Sequence, residues 1–231
     1  MDKDSKEEQT INAEKPKLTI EVLIEEAKQF CVSQSNMRHE SIVGATDGKA
    51  IGTHIEHEFE GILNQKYIVE IGSSARGIDF PGLEINTDMK TTFITQPQSS
   101  CPFKDARQKI FGLGYNLLLF VYRKDDVRDY NLEFLHARFV EKSRTADYQT
   151  TRGLREIIDR DGNLDDIKAF LMDRRLPVGE IELEKIAEEI LAKPLLIGYL
   201  TISNALQWRL QYSRVIKLQE QVDGVVKIYD R

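Results

Sequence analysis

The stretch GIDFPGLEINTDMKTTF, from Gly77 to Phe93, constrains this chain more than any other. Read with a period of two, Leu83, Ile85, Met89 and Phe93 fall on one face of an extended strand, and Glu84, Asn86, Asp88 and Lys90 on the other. Alternation over that length predicts a half-buried β-strand. Asp88 and Lys90 are two residues apart, so a carboxylate and an amine point the same way. Asp79 lies just upstream of the break made by Pro81 and Gly82. A short hairpin there would bring two acids and a lysine together. That set suits a Mg²⁺ site that activates water to attack a phosphodiester. The competing reading is a surface strand whose charges alternate for solubility.

Length and composition bound the rest. The 231 residues suffice for one large domain or two small ones, and 41 % hydrophobic with 30 % charged residues describes an ordinary soluble globular protein. No apolar run approaches the roughly 20 residues of a membrane span. The charged N-terminal segment lacks the apolar centre of a secretory signal and reads as a disordered tail over residues 1–17. Two cysteines, Cys31 and Cys101, are too few for a disulfide framework, so a cytoplasmic protein with free thiols is expected. The net charge of −6 argues against nonspecific coating of nucleic acid, but not against a nuclease, whose metal site contributes acids.

Along the chain, residues 18–35 predict an amphipathic helix. Residues 49–63 predict another, with Ile51, Ile55, Phe59 and Ile62 in a stripe. Residues 67–72 are a strand candidate, 96–102 a polar loop, and 103–113 a helix. The apolar run 116–122 fits a strand buried on both faces, with 130–140 as its neighbour. Helices are expected over 151–159, 164–172, 181–191 and 202–215, and a closing strand over 222–229. The fold class expected is α/β, with a mixed central sheet flanked by helices, a core over 18–145 and a mainly helical C-terminal part over 146–231.

Glu56 directly follows Ile55 in the second helix and can sit at the edge of its buried face, whereas Glu58 and Glu60 read as solvated helix acids. His54 and His57, three apart, could share a metal, but no further His or Cys at suitable spacing supports zinc. Gly112–Gly114 lacks the remainder of a nucleotide fingerprint, and Cys101 reads as an inert thiol. Gln96, Gln98, Ser99, Ser100 and Lys104 form a polar loop beside the strand with Asp88, of types that read base edges or hold phosphates. Arg152 and Arg155 are basic residues of the second half. Gln207, Arg209 and Arg214 are expected on or near one helix with Trp208 and Tyr212. Together these make a candidate DNA-facing surface.

The motifs Ile51-Gly-Thr-His-Ile-Glu56, Asp79-Phe-Pro-Gly-Leu83 and Asp88-Met-Lys90 resemble those of the PD-(D/E)xK nucleases, the superfamily of most type II restriction endonucleases. The local match is nearest to the MutH-like nicking enzymes of mismatch repair and covers residues 49–93. Asp stands at position 88 where those enzymes have Glu, and both gaps between motifs are longer here. The resemblance implies a restriction-endonuclease-like sheet, Glu56, Asp79 and Asp88 as metal ligands, and Lys90 as the fourth active-site residue. It implies Mg²⁺-dependent, sequence-specific hydrolysis of double-stranded DNA leaving 5′-phosphates. Symmetric recognition would favour a homodimer. The alternatives are a MutH-like strand-specific nickase and a non-cleaving DNA-binding protein on a nuclease fold.

Overall fold

The computed structural model describes residues 15–72, 77–100, 105–203 and 209–231. Its centre is the strand β3 (Asn116–Lys124), in which the seven residues from Asn116 to Tyr122 are all buried. Burial on both faces follows from its position. Against one edge lies β1 (Thr87–Phe93), parallel to it, and against the other β4 (Leu132–Val140), antiparallel. β7 (Val225–Asp230) adds antiparallel to β4, so the order is β1-β3-β4-β7. This is the mixed sheet flanked by helices that the sequence predicts.

Alternate residues of β3 feed two different cores. Leu118, Phe120 and Tyr122 join the core beneath α1 (Ile20–Gln34) and α2 (Gly48–Lys66). There the rings of Phe30, Phe59, Phe120 and Phe134 pack with centroids 5.0–5.7 Å apart. Three residues of the predicted stripe of α2 are buried, Ile51, Ile55 and Phe59; its fourth buried apolar residue is Leu63, and the expected Ile62 is only partly buried. Asp47 caps its N-terminus, accepting from the Lys49 N–H. Leu117, Leu119 and Val121 face the opposite core with Leu200, Leu210, Tyr212 and Val215.

That second core is covered by elements that the sequence reading misplaces. Of the helix expected over 202–215, the described part forms β5 (Thr201–Ile202), β6 (Arg209–Gln211) and α7 (Ser213–Lys217), and residues 204–208 lie outside the described residues. Within it, Leu210 and Tyr212 are buried while Arg209 and Gln211 are exposed, a period of two that outweighs the helical spacing of the apolar residues. The loop expected at 96–102 contains β2 (Gln98–Ser100), which pairs with β6, giving a small antiparallel sheet of order β2-β6-β5. The buried Arg138 of β4 fixes α7 there, donating to the carbonyls of Val215 and Ile216 at 3.1 Å and of Tyr229 at 2.9 Å.

Further differences are local. Residues 67–72 make a single bridge, Ile68 to Lys17, rather than a strand. Of the helix expected over 103–113, the described part contains α3 (Gln108–Phe111). The helices α4 (Tyr148–Asp159), α5 (Leu164–Asp173) and α6 (Glu180–Ala192) match expectation and share a third core around Leu154, Ile167 and Ile186. Asp147 ties them to the small sheet: its carboxylate caps α4 through Thr150 and accepts from the Ile202 N–H at 2.8 Å. Cys31 is buried and unpaired, and Cys101 lies outside the described residues. Among the described residues no helix is long and apolar enough to cross a membrane.

Candidate active site

The hairpin forms as its turn chemistry predicts. Phe80 and Thr87 exchange both backbone hydrogen bonds, at 2.9 and 3.0 Å, across the Pro81-Gly82 turn. The strand is shorter than the alternation suggests. Asn86 has φ +36°, so residues 83–86 belong to the turn and Leu83 is 99 % exposed rather than on the buried face. β1 is an edge strand, and its Met89 N–H points away from β3. The Asp79 carboxylate accepts that N–H at 2.6 Å, which satisfies an edge donor and fixes the acid in one step.

A glycine makes this approach possible. The Gly72 N–H donates to the Asp79 carbonyl at 2.7 Å, and a Cβ on Gly72 would stand 1.9 Å from the Ile78 carbonyl oxygen. No motif singles out Gly72, and its place beside Asp79 becomes apparent only in three dimensions.

Asp88 and Lys90 project from β1 on one face, as the spacing requires. The Lys90 ammonium lies 2.5 Å from Asp88 Oδ2 and also donates to the Met89 carbonyl at 2.9 Å. Asp79 is within hydrogen-bonding reach of the Asp88 carboxyl. Burial, reinforced by the Asp79 charge, pushes Asp88 up to about 7 despite the opposing pull of Lys90. Burial works against the Lys90 cation, but Asp88, Asp79 and Glu56 outweigh it and hold its pKa above the ordinary value. The acids around Lys90 thus favour its protonated form.

Glu56 reaches this group from α2. It is half-buried, and burial followed by repulsion from Asp79 raises it to about 7, with Lys90 pulling the other way and Asp88 and Glu60 adding smaller upward pushes. Glu60, one helical turn on, is not the fully solvated acid expected. It is half-buried, and burial and then Asp79 raise its pKa. Glu58 is exposed, as expected. The structure thus gathers Glu56, Asp79, Asp88 and Lys90 into one electrostatic group. Among the described residues no three His, Cys, Asp or Glu side chains close around a single point.

Such a constellation at a sheet edge is consistent with hydrolysis of phosphodiesters, and comparison with known proteins supplies the class. The family model for the type II restriction enzyme NspV matches residues 17–227. The chain is 54 % identical over 215 residues to the type II restriction enzyme NspV of Nostoc sp., covering 92 % of this chain and 97 % of that protein. The chain belongs to the NspV family of type II restriction enzymes. It is accordingly a site-specific deoxyribonuclease, and DNA is its substrate. No solved structure matches it.

The residues expected to face DNA separate into groups. Gln96, Gln98 and Arg209 line a cleft of about 600 Å³ bordered by Thr91 and Thr92 of β1 and by Gly48 and Ile51 of α2. Ser99 turns away, its hydroxyl 2.5 Å from the Tyr212 hydroxyl. Ser100 is exposed. Arg214 sits not beside Arg209 on a helix but on α7, its guanidinium carbon 3.4 Å from the centroid of the Tyr148 ring. Arg152 and Arg155 are exposed on α4, paired with Glu156 at 2.8 Å and Asp159 at 2.9 Å. Lys104 and Gln207 lie outside the described residues. The His54 ring meets His39 at 3.4 Å rather than pairing with the exposed His57. Sequence reading missed His39 because fifteen residues separate the two.

Proposed function

We propose that this restriction enzyme hydrolyses both strands of duplex DNA in a Mg²⁺-dependent reaction, with Asp79, Asp88 and Glu56 holding the cation and Lys90 acting on the scissile phosphate. The observation that carries the reading is the contact of Asp88 with both Asp79 and the Lys90 ammonium on one edge hairpin. Oxygen donors alone suit a hard divalent cation, and Mg²⁺ commonly takes only one or two carboxylates and keeps several waters. Two touching carboxylates therefore fit it without a closed cage of three. The raised pKa values of Glu56 and Asp88 have the same sense, because burial and then the Asp79 charge favour protons there, and a bound cation would favour the charged forms instead.

When bound, the cation lowers the pKa of a water and offsets charge on the phosphate. Asp79 is held by the Met89 N–H, so its position does not depend on the ligand. Lys90 supplies a preorganised positive charge where negative charge develops in the transition state. Glu56, carried on a different element, adjusts the net charge at the site. Cutting both strands at a symmetric sequence is served by a two-fold homodimer that presents two such sites.

Digestion of a long DNA of known sequence, with Mg²⁺ and with chelator, tests the reading. Discrete double-strand fragments that require Mg²⁺ and share one end sequence are expected. Nicked products alone would favour the strand-specific alternative, and undiminished cutting in chelator would overturn the metal assignment.

A further inference from the structure

The small sheet places side chains that the chain separates by more than a hundred residues. In an antiparallel pair, residues directly opposite share a face. Gln98 lies opposite Gln211 and Ser100 opposite Arg209, so all four share one face of β2 and β6. Ser99 and Leu210, also opposite each other, share the other face, where Leu210 is fully buried and Ser99 meets Tyr212. The first face is open: Ser100, Arg209 and Gln211 are exposed, and Gln98 and Arg209 line the cleft beside β1. The side chains of these four residues have no hydrogen-bond or ionic partner among the described residues.

We infer that this face of the β2–β6 ribbon enters the DNA major groove and reads base edges, Arg209 on guanine and Gln98 with Gln211 on adenine. The inference rests on the proposed reading of the chain as a metal-dependent cutter of duplex DNA. β2 and β6 are two strands of the three-stranded sheet, with the two-residue β5 beyond β6, and the major groove admits a pair of strands of this kind. Arginine matches the O6 and N7 acceptors of guanine, and glutamine, with one donor and one acceptor group, matches N7 and the N6 amine of adenine. A purely phosphate-binding surface would be richer in lysine and arginine. This face instead has one cation and two amides, the composition of a reader rather than of an anchor.

The ribbon is also tied to the catalytic strand. The Thr92 hydroxyl donates to the carbonyls of Gln96 and Gln98, each at 3.3 Å, and accepts from the Gln98 N–H at 3.1 Å. Thr92 is two residues from Lys90, so a base read by Gln98 stands in a fixed relation to the phosphate at Asp88 and Lys90. Same-face neighbours along a strand are roughly 6.6 Å apart, about two base-pair steps. The positions read by Arg209 and by the Gln98–Gln211 pair should therefore lie within about two base pairs of each other.

The test is cleavage of a randomised duplex library with Mg²⁺, followed by sequencing of the cut ends, for wild type and for Arg209→Ala, Gln98→Ala, Gln211→Ala and Lys185→Ala. Arg209→Ala should relax one G·C position per half-site. Gln98→Ala and Gln211→Ala should relax one neighbouring A·T position, each by roughly ten- to hundredfold in discrimination. Lys185→Ala, exposed on α6, should keep the wild-type consensus. A measurement free of folding effects uses wild-type enzyme on duplexes carrying 7-deazaguanine or 7-deazaadenine, which lack the N7 acceptor, and a matching loss at those positions is expected. An unchanged consensus in all three ribbon variants with cutting intact, or indifference to both deazapurines, overturns the ribbon assignment alone. Absence of cutting by wild type overturns the catalytic reading and this one with it.

Discussion

Glu56 offers a test of the site that needs no DNA. Its pKa rises from the ordinary 4.5 to about 7 because the folded chain buries it, first of all, and sets it near Asp79. Between those two values the folded protein keeps a proton that the unfolded chain has lost, so stability falls as pH rises through that window. The full rise corresponds to about 3 kcal/mol above pH 7, an upper bound because the side chain is only half-buried. Glu56→Gln removes the charge at nearly constant shape. Without metal at pH 8, the variant should be more stable than wild type by about 2–3 kcal/mol, or about 5–10 °C in melting temperature for a chain of this size. At pH 5 most of the wild-type side chain is protonated in the folded state, and the advantage should shrink to about 1 kcal/mol or less.

Metal should reverse the order. Millimolar Mg²⁺ stabilises the folded state in proportion to its affinity for it, and the three-acid site should gain more than the variant. The assay is urea or thermal unfolding at pH 5 and pH 8, each with chelator and with Mg²⁺. A variant no more stable than wild type at pH 8 in chelator, or an advantage equal at both pH values, would refute the account of Glu56 as an acid strained by its neighbours.

Asp79→Asn and Asp88→Asn should each abolish Mg²⁺-dependent cleavage while leaving DNA binding intact, checked by plasmid digestion beside a gel-shift titration; near-normal turnover by either would remove that residue from the metal site. Lys90→Ala should slow single-turnover cleavage by at least ~10²-fold, the scale of losing one preorganised electrostatic contact, and a loss below about tenfold would leave Lys90 as a partner of Asp88 only. Gly72→Ala should destabilise the fold by about 1–3 kcal/mol, as overpacking does, and depress cleavage further by shifting Asp79. Urea unfolding and kinetics on the same preparation separate the two effects, and wild-type behaviour in both would discount the close approach at Ile78.

The grouping of Asp79, Asp88 and Lys90 proposed as the active site was legible in the sequence because its grammar is local. The Pro81-Gly82 turn, the two-residue spacing of Asp88 and Lys90, and the stripe Ile51, Ile55, Phe59 each depend on residues within one turn or strand. Each of these features forms as its pattern predicts. What the pattern could not show was contact at long separation. Gly72 beside Asp79, Glu60 within the field of Asp79, and His39 against His54 follow from how α2 and the hairpin pack. The length of β1 was overread for a related reason: Leu83 keeps the alternation but lies in the turn, where nothing covers it.

The small sheet is the case where period and environment compete. Residues 202–215 carry apolar side chains at spacings that suit a helix, yet the outer core of β3 needs a cover, and Leu210 with Tyr212 supplies it only if the chain is extended. Extension then costs backbone hydrogen bonds unless a partner strand is at hand, and β2 is held at hand by the Thr92 hydroxyl. The same pairing that closes the core turns Gln98, Ser100, Arg209 and Gln211 outward together. Packing of the hydrophobic face and assembly of the polar face are thus one event, and a substitution at buried Leu210 should disturb both together, although it touches neither DNA nor metal.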